Sequence, residues 1–164
     1  MSTLTPTASS DAVAARMRSQ RRHDTAPELA VRSALHRLGV RFRLPRRRLP
    51  VGDTTCLPDV AIVSLRVAVF VDGCYWHGCE EHVRPVKTNG EWWRAKIEAT
   101  RIRDERQTKA LIAAGWCVVR VWEHDDPQHA ARIVAKAVHV RRWRRDHGLS
   151  LLGTGPYSVR RATA

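Results

Sequence analysis

Thiol and imidazole side chains cluster in the middle of the chain. Cys74, Cys79 and His82 follow one another with four and two residues between them, and His124 comes much later. Two thiolates and two imidazoles match the donor set of a structural zinc site, which is tetrahedral and has no open position. The alternative is that the cysteines are buried thiols and the histidines ordinary surface residues. Three other residues compete with His124 for the fourth position: His77, Cys56 and Cys117.

A pair of carboxylates indicates a second kind of site. Asp59 follows Pro58 at the start of one apolar segment, and Asp72 follows Val71 near the end of the next. Carboxylate and carbonyl oxygens at a strand edge suit Mg²⁺, which prefers octahedral oxygen ligands and keeps several waters. On its own this pair is a weak signal, because an Asp beside a Pro is commonly a turn residue.

The loop after Gly73 also carries a candidate general base and a group of aromatic residues. Histidine side chains titrate near neutral pH, so His77 could take a proton from an attacking water, although its spacing equally allows a zinc ligand or a loop residue. Large rings among cations can wedge between base steps while the cations bind phosphates. For the adjacent Trp92 and Trp93 the alternative is core packing, and we expect one to face inward and the other DNA. The remaining members of this group are Tyr75, Trp76, Arg84, Lys87, Arg94 and Lys96.

Regular elements must position these side chains. Thr25 to Glu28 has the form of a capping box and predicts a helix that Gly39 ends. A long helix is predicted from Glu91 to Ala114, behind Asn89 as its cap, and a third over 127–147 with a basic outer face that includes Arg141. Apolar runs predict the strands Val40–Leu44, Asp59–Val63, Arg66–Asp72 and Cys117–Trp122, the second and third forming a hairpin.

This order of elements predicts an α/β fold, a mixed β-sheet flanked by helices. We expect a disordered leader at 1–14, in which Ala12–Gln20 begins a short helix, one domain at 15–147 and a C-terminal tail at 148–164. A length of 164 residues is consistent with a single domain.

Composition narrows the partner class. The net charge of +13 and the pI of about 11.1 favour nucleic acid, the alternative being an arginine-rich, solvated surface. No apolar run approaches the roughly 18 residues of a membrane span, and the N-terminus lacks a signal peptide, so we expect a cytoplasmic protein with no membrane partner. In a reducing compartment the four cysteines are metal ligands or thiols rather than disulfides.

Several segments together resemble the very short patch repair endonucleases. They are the string from Val69 to Cys79, the segment Lys87–Ile97, the Arg103-Asp104 pair, the stretch from Gly115 to His124 and the N-terminal stretch from Met17 to Leu29. The resemblance runs from about residue 15 to 126. It implies a restriction-endonuclease-like fold and a Mg²⁺-dependent nick beside the T of a T:G mispair, the product of 5-methylcytosine deamination.

The resemblance also implies roles for individual residues. Asp59 and the carbonyl of Val71 would bind Mg²⁺, His77 would activate water, and Glu28 would reach the metal site through water. Intercalating aromatics fall on Tyr75, Trp76 and Trp93, beside the DNA-binding cations Arg94 and Lys96. Zinc ligands fall on Cys74, Cys79, His82 and His124.

The chain departs from the family pattern in three features, one of which is a zinc site that mixes two Cys with two His, as the metal chemistry allows. The loop Val51–Leu57 is longer than the family's, and Asp72 stands where some members have His, so that it could bind the cation or alter the protonation of His77. We expect a monomer that acts on mismatched double-stranded DNA, associates with the nucleoid and works with mismatch-repair proteins. Two rival hypotheses remain, a restriction-type nuclease on paired DNA and a non-catalytic, zinc-containing DNA-binding module.

Overall fold

A computed structural model describes residues 23–82, 88–151 and 157–158, together with positions 11, 15, 19 and 21. Apart from positions 11, 15 and 19, which are helical, the predicted leader at 1–14 and the helix predicted over Ala12–Gln20 lie outside the described residues, as does most of the tail at 148–164. The helices within those ranges are α1 (Ala26–Arg37), α2 (Gly90–Ala113) and α3 (Pro127–Asp146). The strands are β1 (Leu49–Val51), β2 (Thr54–Cys56), β3 (Val60–Ile62), β4 (Val67–Asp72), β5 (Cys117–Trp122) and β6 (Tyr157–Ser158).

The central sheet has the strand order β3-β4-β5-β6. β3 runs antiparallel to β4, whereas β4, β5 and β6 are mutually parallel, so the predicted mixed sheet flanked by helices is confirmed. The predicted hairpin between β3 and β4 is also confirmed, and it turns through a short 3-10 segment, Val63–Leu65, with Arg66 in the left-handed region at φ 50°. The segment predicted as an irregular loop over 51–57 instead contains most of a second hairpin, β1–β2.

Apolar side chains cover both faces of β4 and β5, which explains their almost uninterrupted apolar sequences. On one face, Val69 and Val121 pack in a core with Leu35 of α1 and Val134 of α3. On the other face a smaller core lies beneath α2, and its buried members are Val51, Cys56, Ala68, Phe70, Leu111 and Val118. None of the described helices is long and apolar enough to cross a membrane.

Two predicted features of the fold are wrong. Val40–Leu44 forms no strand, and its only pairing is an isolated bridge between Arg43 and Ala61, followed by Pro45, which lacks the N–H that a ladder needs. Arg141 does not belong to a basic outer face, since it is 1% exposed and one guanidinium nitrogen donates to the carbonyl of Gly115 at 2.9 Å. It lies on the buried stripe of α3, where its long apolar stem packs and its head finds a backbone partner.

The start of α1 matches the predicted position but not the predicted hydrogen bonds. Thr25 is the N-cap residue, yet its hydroxyl donates to Glu28 Oε1 at 2.9 Å and caps no backbone N–H. Glu28 Oε2 accepts the N–H of Asp24, one residue before the cap, at 2.9 Å. The first turn of α1 is thus ordered mainly around the Glu28 carboxylate.

Candidate active site

The candidate site lies at the ends of β4 and β5, where Asp72 and Trp122 are paired in register. Asp59 reaches the same edge because it precedes β3, which runs antiparallel to β4. The N–H of Val71 donates to Asp59 Oδ2 at 2.7 Å, and the N–H of Asp59 donates to the carbonyl of Val69 at 2.9 Å. The side chain of Asp59 is therefore turned toward the main chain of Val71, as a shared cation site requires.

The electrostatic surroundings of Asp59 suit a cation. Burial raises the pKa of Asp59 to about 7; the hydrogen bond from Val71 opposes this rise, while the charges of Glu28 and Asp72 add to it and that of Arg32 counters it. Among the residues the structure describes, no lysine or arginine forms an ion pair with Asp59. A half-buried carboxyl near two other carboxylates and without a cationic partner fits a divalent ion, which would favour its ionised form.

Glu28, the third acid of this region, already has partners. It is 5% exposed, and Oε2 accepts from Arg32 Nη2 at 2.9 Å in addition to the N–H of Asp24. Arg32 also pairs with the Asp24 side chain. Helix α1 therefore holds a carboxylate close enough to Asp59 to act on its charge, and the predicted water-mediated link to a metal remains a prediction.

His77 lies in a hydrogen-bonded network with two buried acids. Its Nδ1 is 2.5 Å from Asp104 Oδ2 and 3.3 Å from Asp72 Oδ1. Both oxygens of Asp72 accept from Arg120, from Nη2 at 2.7 Å and from Nε at 2.9 Å. Because ionised carboxylates only accept hydrogen bonds, Nδ1 must carry the proton, which leaves Nε2 as the basic nitrogen.

The guanidinium of Arg120 already supplies the positive charge that this acidic group needs. Asp72, His77 and Asp104 are close enough to hold a metal ion. However, Arg120 Nη2 already pairs with both acids, at 2.7 Å from Asp72 Oδ1 and 3.3 Å from Asp104 Oδ2. Burial alone would raise the pKa of Asp104, but the hydrogen bond to His77 and the charges of Arg120 and Arg103 outweigh it and hold that pKa below its usual value. Asp72, whose role the sequence left open, is thus a partner of Arg120.

The roles of Asp104 and Arg120 were missed from the sequence, although both gave a signal. Arg120 interrupts the apolar run of β5, and a charge in a buried strand requires a buried partner. Asp104 shares the buried stripe of α2 with Gln107 and Leu111, at spacings of three and seven residues. A carboxylate on the buried stripe of a helix likewise indicates a buried partner, here one of positive charge.

Gly78 allows the loop that carries His77 to pack against α2. It has φ +69°, and a Cβ at this position would lie 2.7 Å from Ile97 Cγ2. Only glycine satisfies both the left-handed backbone and the close approach. The position of His77 over Asp104 therefore depends on a glycine at the next residue, Gly78.

The four predicted zinc ligands come together beside this network. Their donor atoms all lie within 4.8 Å of one another, with Cys74 Sγ 3.0 Å from His124 Nδ1 and Cys79 Sγ 3.5 Å from His82 Nδ1. These separations are close to those around a tetrahedral ion with bonds of about 2.0–2.3 Å. The three competitors for the fourth position lie elsewhere: His77 in the acidic network, Cys56 in the core beneath α2 and Cys117 in the core of β5.

The surroundings of these donors also fit a bound cation. Glu123 Oε1 accepts the N–H of Cys74 at 2.7 Å, and Glu81 lies 3.7 Å from Nε2 of His124, the ring nitrogen that faces away from the cluster. Carboxylates in such positions orient metal ligands. Burial, and to a smaller extent the neighbouring Cys79 and Glu123, raises the pKa of Cys74 to about 12. Metal binding would therefore release a proton from this thiol.

An aromatic cluster covers the same loop. The ring of Trp93 is 5.3 Å from Tyr75, 5.8 Å from Trp76 and 4.8 Å from Trp92, between centroids. Trp76 is 36% exposed. Trp92 and Trp93, one of which was expected to face inward and the other DNA, are both half-buried, and Trp93 packs on the loop. Two predicted DNA-binding cations are exposed on the first turns of α2: Arg94 and Lys96.

Comparison of the sequence with known proteins shows which family this chain is similar to. A family model described as DNA mismatch endonuclease Vsr matches residues 7–82. The type II nicking enzyme V.NaeI of Lentzea aerocolonigenes is 42% identical over 75% of this chain and 74% of its own length. V.XorIIP, a type II nicking enzyme of Xanthomonas oryzae, is 47% identical over 65% of this chain and 76% of its own. The DNA mismatch endonuclease Vsr of Escherichia coli is 34% identical over 65% and 66%.

Proposed function

The chain belongs to the Vsr family of DNA endonucleases, and from that premise we propose that it nicks one strand of a duplex beside the T of a T:G mispair in a Mg²⁺-dependent reaction. One observation carries the proposal: Asp59 and a histidine with Nδ1 bound to a carboxylate lie at the same edge of the sheet. Nicking and mismatch recognition are supported by the names of relatives, which include type II nicking enzymes and a mismatch endonuclease.

His77 is the proposed general base. Its Nε2 takes a proton from the attacking water, and the hydrogen bond from Nδ1 to Asp104 stabilises the imidazolium that forms. The water oxygen bonds to phosphorus as the bond to the 3′-oxygen breaks, leaving a 3′-hydroxyl and a 5′-phosphate. The side chain of Asp59 and the carbonyl of Val71 would hold Mg²⁺, which when bound offsets the charge of the phosphate and of the leaving oxygen.

The aromatic cluster is the proposed reader of the mispair. Exposed Trp76, with Tyr75 and Trp93 against it, would enter the base stack, and unstacking costs least where the bases are mispaired. Arg94 and Lys96 would bind the flanking phosphates. This mode of binding distinguishes a mismatch enzyme from a restriction-type nuclease of fully paired DNA.

The fold type, the structural metal and the partners also belong to the proposal. A mixed sheet that carries an acid at a hairpin edge agrees with a restriction-endonuclease-like fold. Two thiols and two imidazoles with supporting carboxylates agree with structural zinc at Cys74, Cys79, His82 and His124. We place the enzyme at the nucleoid as a monomer, with mismatch-repair proteins as further partners.

Nicking of end-labelled duplexes tests the proposal. Purified chain is given a T:G duplex or the matched T:A and C:G duplexes, with and without Mg²⁺, as wild type, Asp59→Asn and His77→Ala. We expect T:G-selective, Mg²⁺-dependent nicking and losses of at least about a hundredfold in both variants. Glu105→Gln, on the exposed face of α2, is the control and should nick normally. Equal cutting of matched DNA would favour the restriction-type rival, and full activity of either variant would remove that residue from the mechanism.

A further inference from the structure

The guanidinium of Arg120 completes a closed ring of four contacting atoms, one of which is Nδ1 of the proposed base, His77. Asp72 Oδ1 lies 2.7 Å from Arg120 Nη2 and 3.3 Å from His77 Nδ1, and Asp104 Oδ2 lies 3.3 Å and 2.5 Å from the same two nitrogens. Two donor nitrogens and two acceptor oxygens therefore alternate. Both of these carboxylate oxygens therefore contact the imidazole and Arg120 at the same time.

Neighbours from two other elements fix the guanidinium itself. Arg120 is 6% exposed in β5, its carbon centre lies 4.6 Å from the ring centroid of Phe70 in β4, and Nη1 is 3.4 Å from the hydroxyl of Thr108 in α2. The two-point contact with Asp72 uses the planar fork of the guanidinium, which a lysine does not have. Arg120 thus sits in one place and one orientation.

A buried ion pair of this kind is weak evidence for stability. Taking two charges out of water costs about as much as their attraction returns, and hydrophobic pairs of similar volume are often equally stable. What such a pair does provide is a defined arrangement of its hydrogen-bonding partners. Without Arg120, two buried acids would compete for a single imidazole N–H, and neither would have a fixed position.

We propose that Arg120 is a positioning residue for catalysis, which acts through Asp72 and Asp104 to hold His77 with Nδ1 protonated and Nε2 directed out of the network. Arg120 makes no contact with the substrate in this scheme. The inference rests on the proposed role of His77 as the base. It assigns the function of Asp72, the departure from the family pattern at the end of β4, to the orientation of the imidazole.

A double-mutant cycle separates positioning from a general structural role. Arg120→Met, His77→Ala and the double variant are compared for single-turnover nicking of the T:G duplex. We expect Arg120→Met to lower the single-turnover rate constant at saturating enzyme at least about tenfold, with the half-saturating enzyme concentration within about twofold. We expect it to change the residual rate of His77→Ala by less than about twofold. Equal losses in both backgrounds would show that Arg120 acts on the fold as a whole and would overturn the inference. Arg145→Met, on the exposed end of α3, is the matched control and should nick normally.

A readout without substrate keeps the test independent of the proposed function. The ¹⁵N shifts of the His77 ring report which nitrogen is protonated, and we expect one Nδ1–H tautomer in wild type and a mixture in Arg120→Met. Arg120→Lys retains the charge and tests the fork, with an intermediate mixture expected. An unchanged single tautomer in both variants would contradict positioning. Full nicking by His77→Ala would instead refute the proposed base and leave the tautomer result standing.

Discussion

The half-buried carboxyl of Asp59 leads to a quantitative prediction about stability without Mg²⁺. Its pKa is raised from 3.8 to about 7, chiefly by burial. Between these pH values the folded chain keeps a proton that the unfolded chain has lost. Because the folded state then binds more protons, the free energy of unfolding falls as pH rises from about 4 to about 7 and stays low above that range.

The size of the effect follows from the shift. About three pKa units at 1.36 kcal/mol each correspond to a loss of up to about 4 kcal/mol at pH 8, and less than half of that at pH 5. In Asp59→Asn the amide oxygen can still accept the N–H of Val71, but the side chain has no charge at any pH. We therefore expect the variant to be more stable than wild type at pH 8 by about 2–4 kcal/mol, or several degrees in Tm.

Thermal unfolding of zinc-loaded, Mg²⁺-free protein at pH 5 and pH 8 measures this difference. We expect the gap between Asp59→Asn and wild type to shrink by more than half at pH 5, and saturating Mg²⁺ at pH 8 to raise the Tm of wild type alone. Asp53→Asn, an exposed acid in the β1–β2 hairpin, is the control and should show neither effect. A less stable Asp59→Asn at pH 8, or a gap independent of pH, would refute the reasoning.

Three further outcomes are expected. Cys79→Ala should reduce the amount of bound zinc from about one ion per chain to none, measured by elemental analysis, and should lower the Tm, measured by thermal unfolding. Retention of one ion would contradict the four-ligand site. Gly78→Ala should cost at least about 1–3 kcal/mol in chemical unfolding because of its left-handed φ and the 2.7 Å approach of α2, whereas Gly90→Ala, with nothing within 4 Å, should be neutral or better. Arg46→Gln combined with Arg47→Gln removes two exposed charges from the segment that follows the antiparallel bridge to β3, on the side of the bridge toward Asp59. The slope of log K against log salt for duplex binding should fall by up to about 1.8, and an unchanged slope would show that neither arginine meets a phosphate.

The parts of the fold that could be predicted from the sequence are those fixed by local pattern. The bounds of β5 were predicted to the residue and those of β4 to within one, because runs of β-branched residues that are buried on both faces have few alternatives. Val40–Leu44, which alternates apolar residues with arginine, also fits a strand, but its neighbours decide the outcome: only Arg43 meets β3, and the chain then leaves the sheet. Whether an apolar segment becomes a strand depends on a partner that its own residues do not specify.

The same distinction separates the predicted from the missed parts of the site. Cys74, Cys79 and His82 are close in sequence, so their spacing alone suggested a metal. Asp104 of α2 contacts His77, and Arg120 of β5 contacts Asp104, but nothing in the local spacing specifies either contact. Their signal was the burial of charge on elements with an apolar pattern, which shows that a partner exists without showing which one.

The two groups of acidic residues at the end of β4 differ in how their negative charge is neutralised. Asp72 faces α2 and has both oxygens on Arg120, a cation that belongs to the fold and cannot leave. On the side of α1, Arg32 pairs with Glu28, and Asp59 has no ion-pair partner among the residues described. A permanent counter-ion suits a group that must hold an imidazole in one orientation. Asp59, which lacks such a counter-ion, has a raised pKa. In the proposed mechanism an ion from solution would supply positive charge next to the DNA phosphate, while the fixed charge of Arg120 lies behind His77, the proposed base.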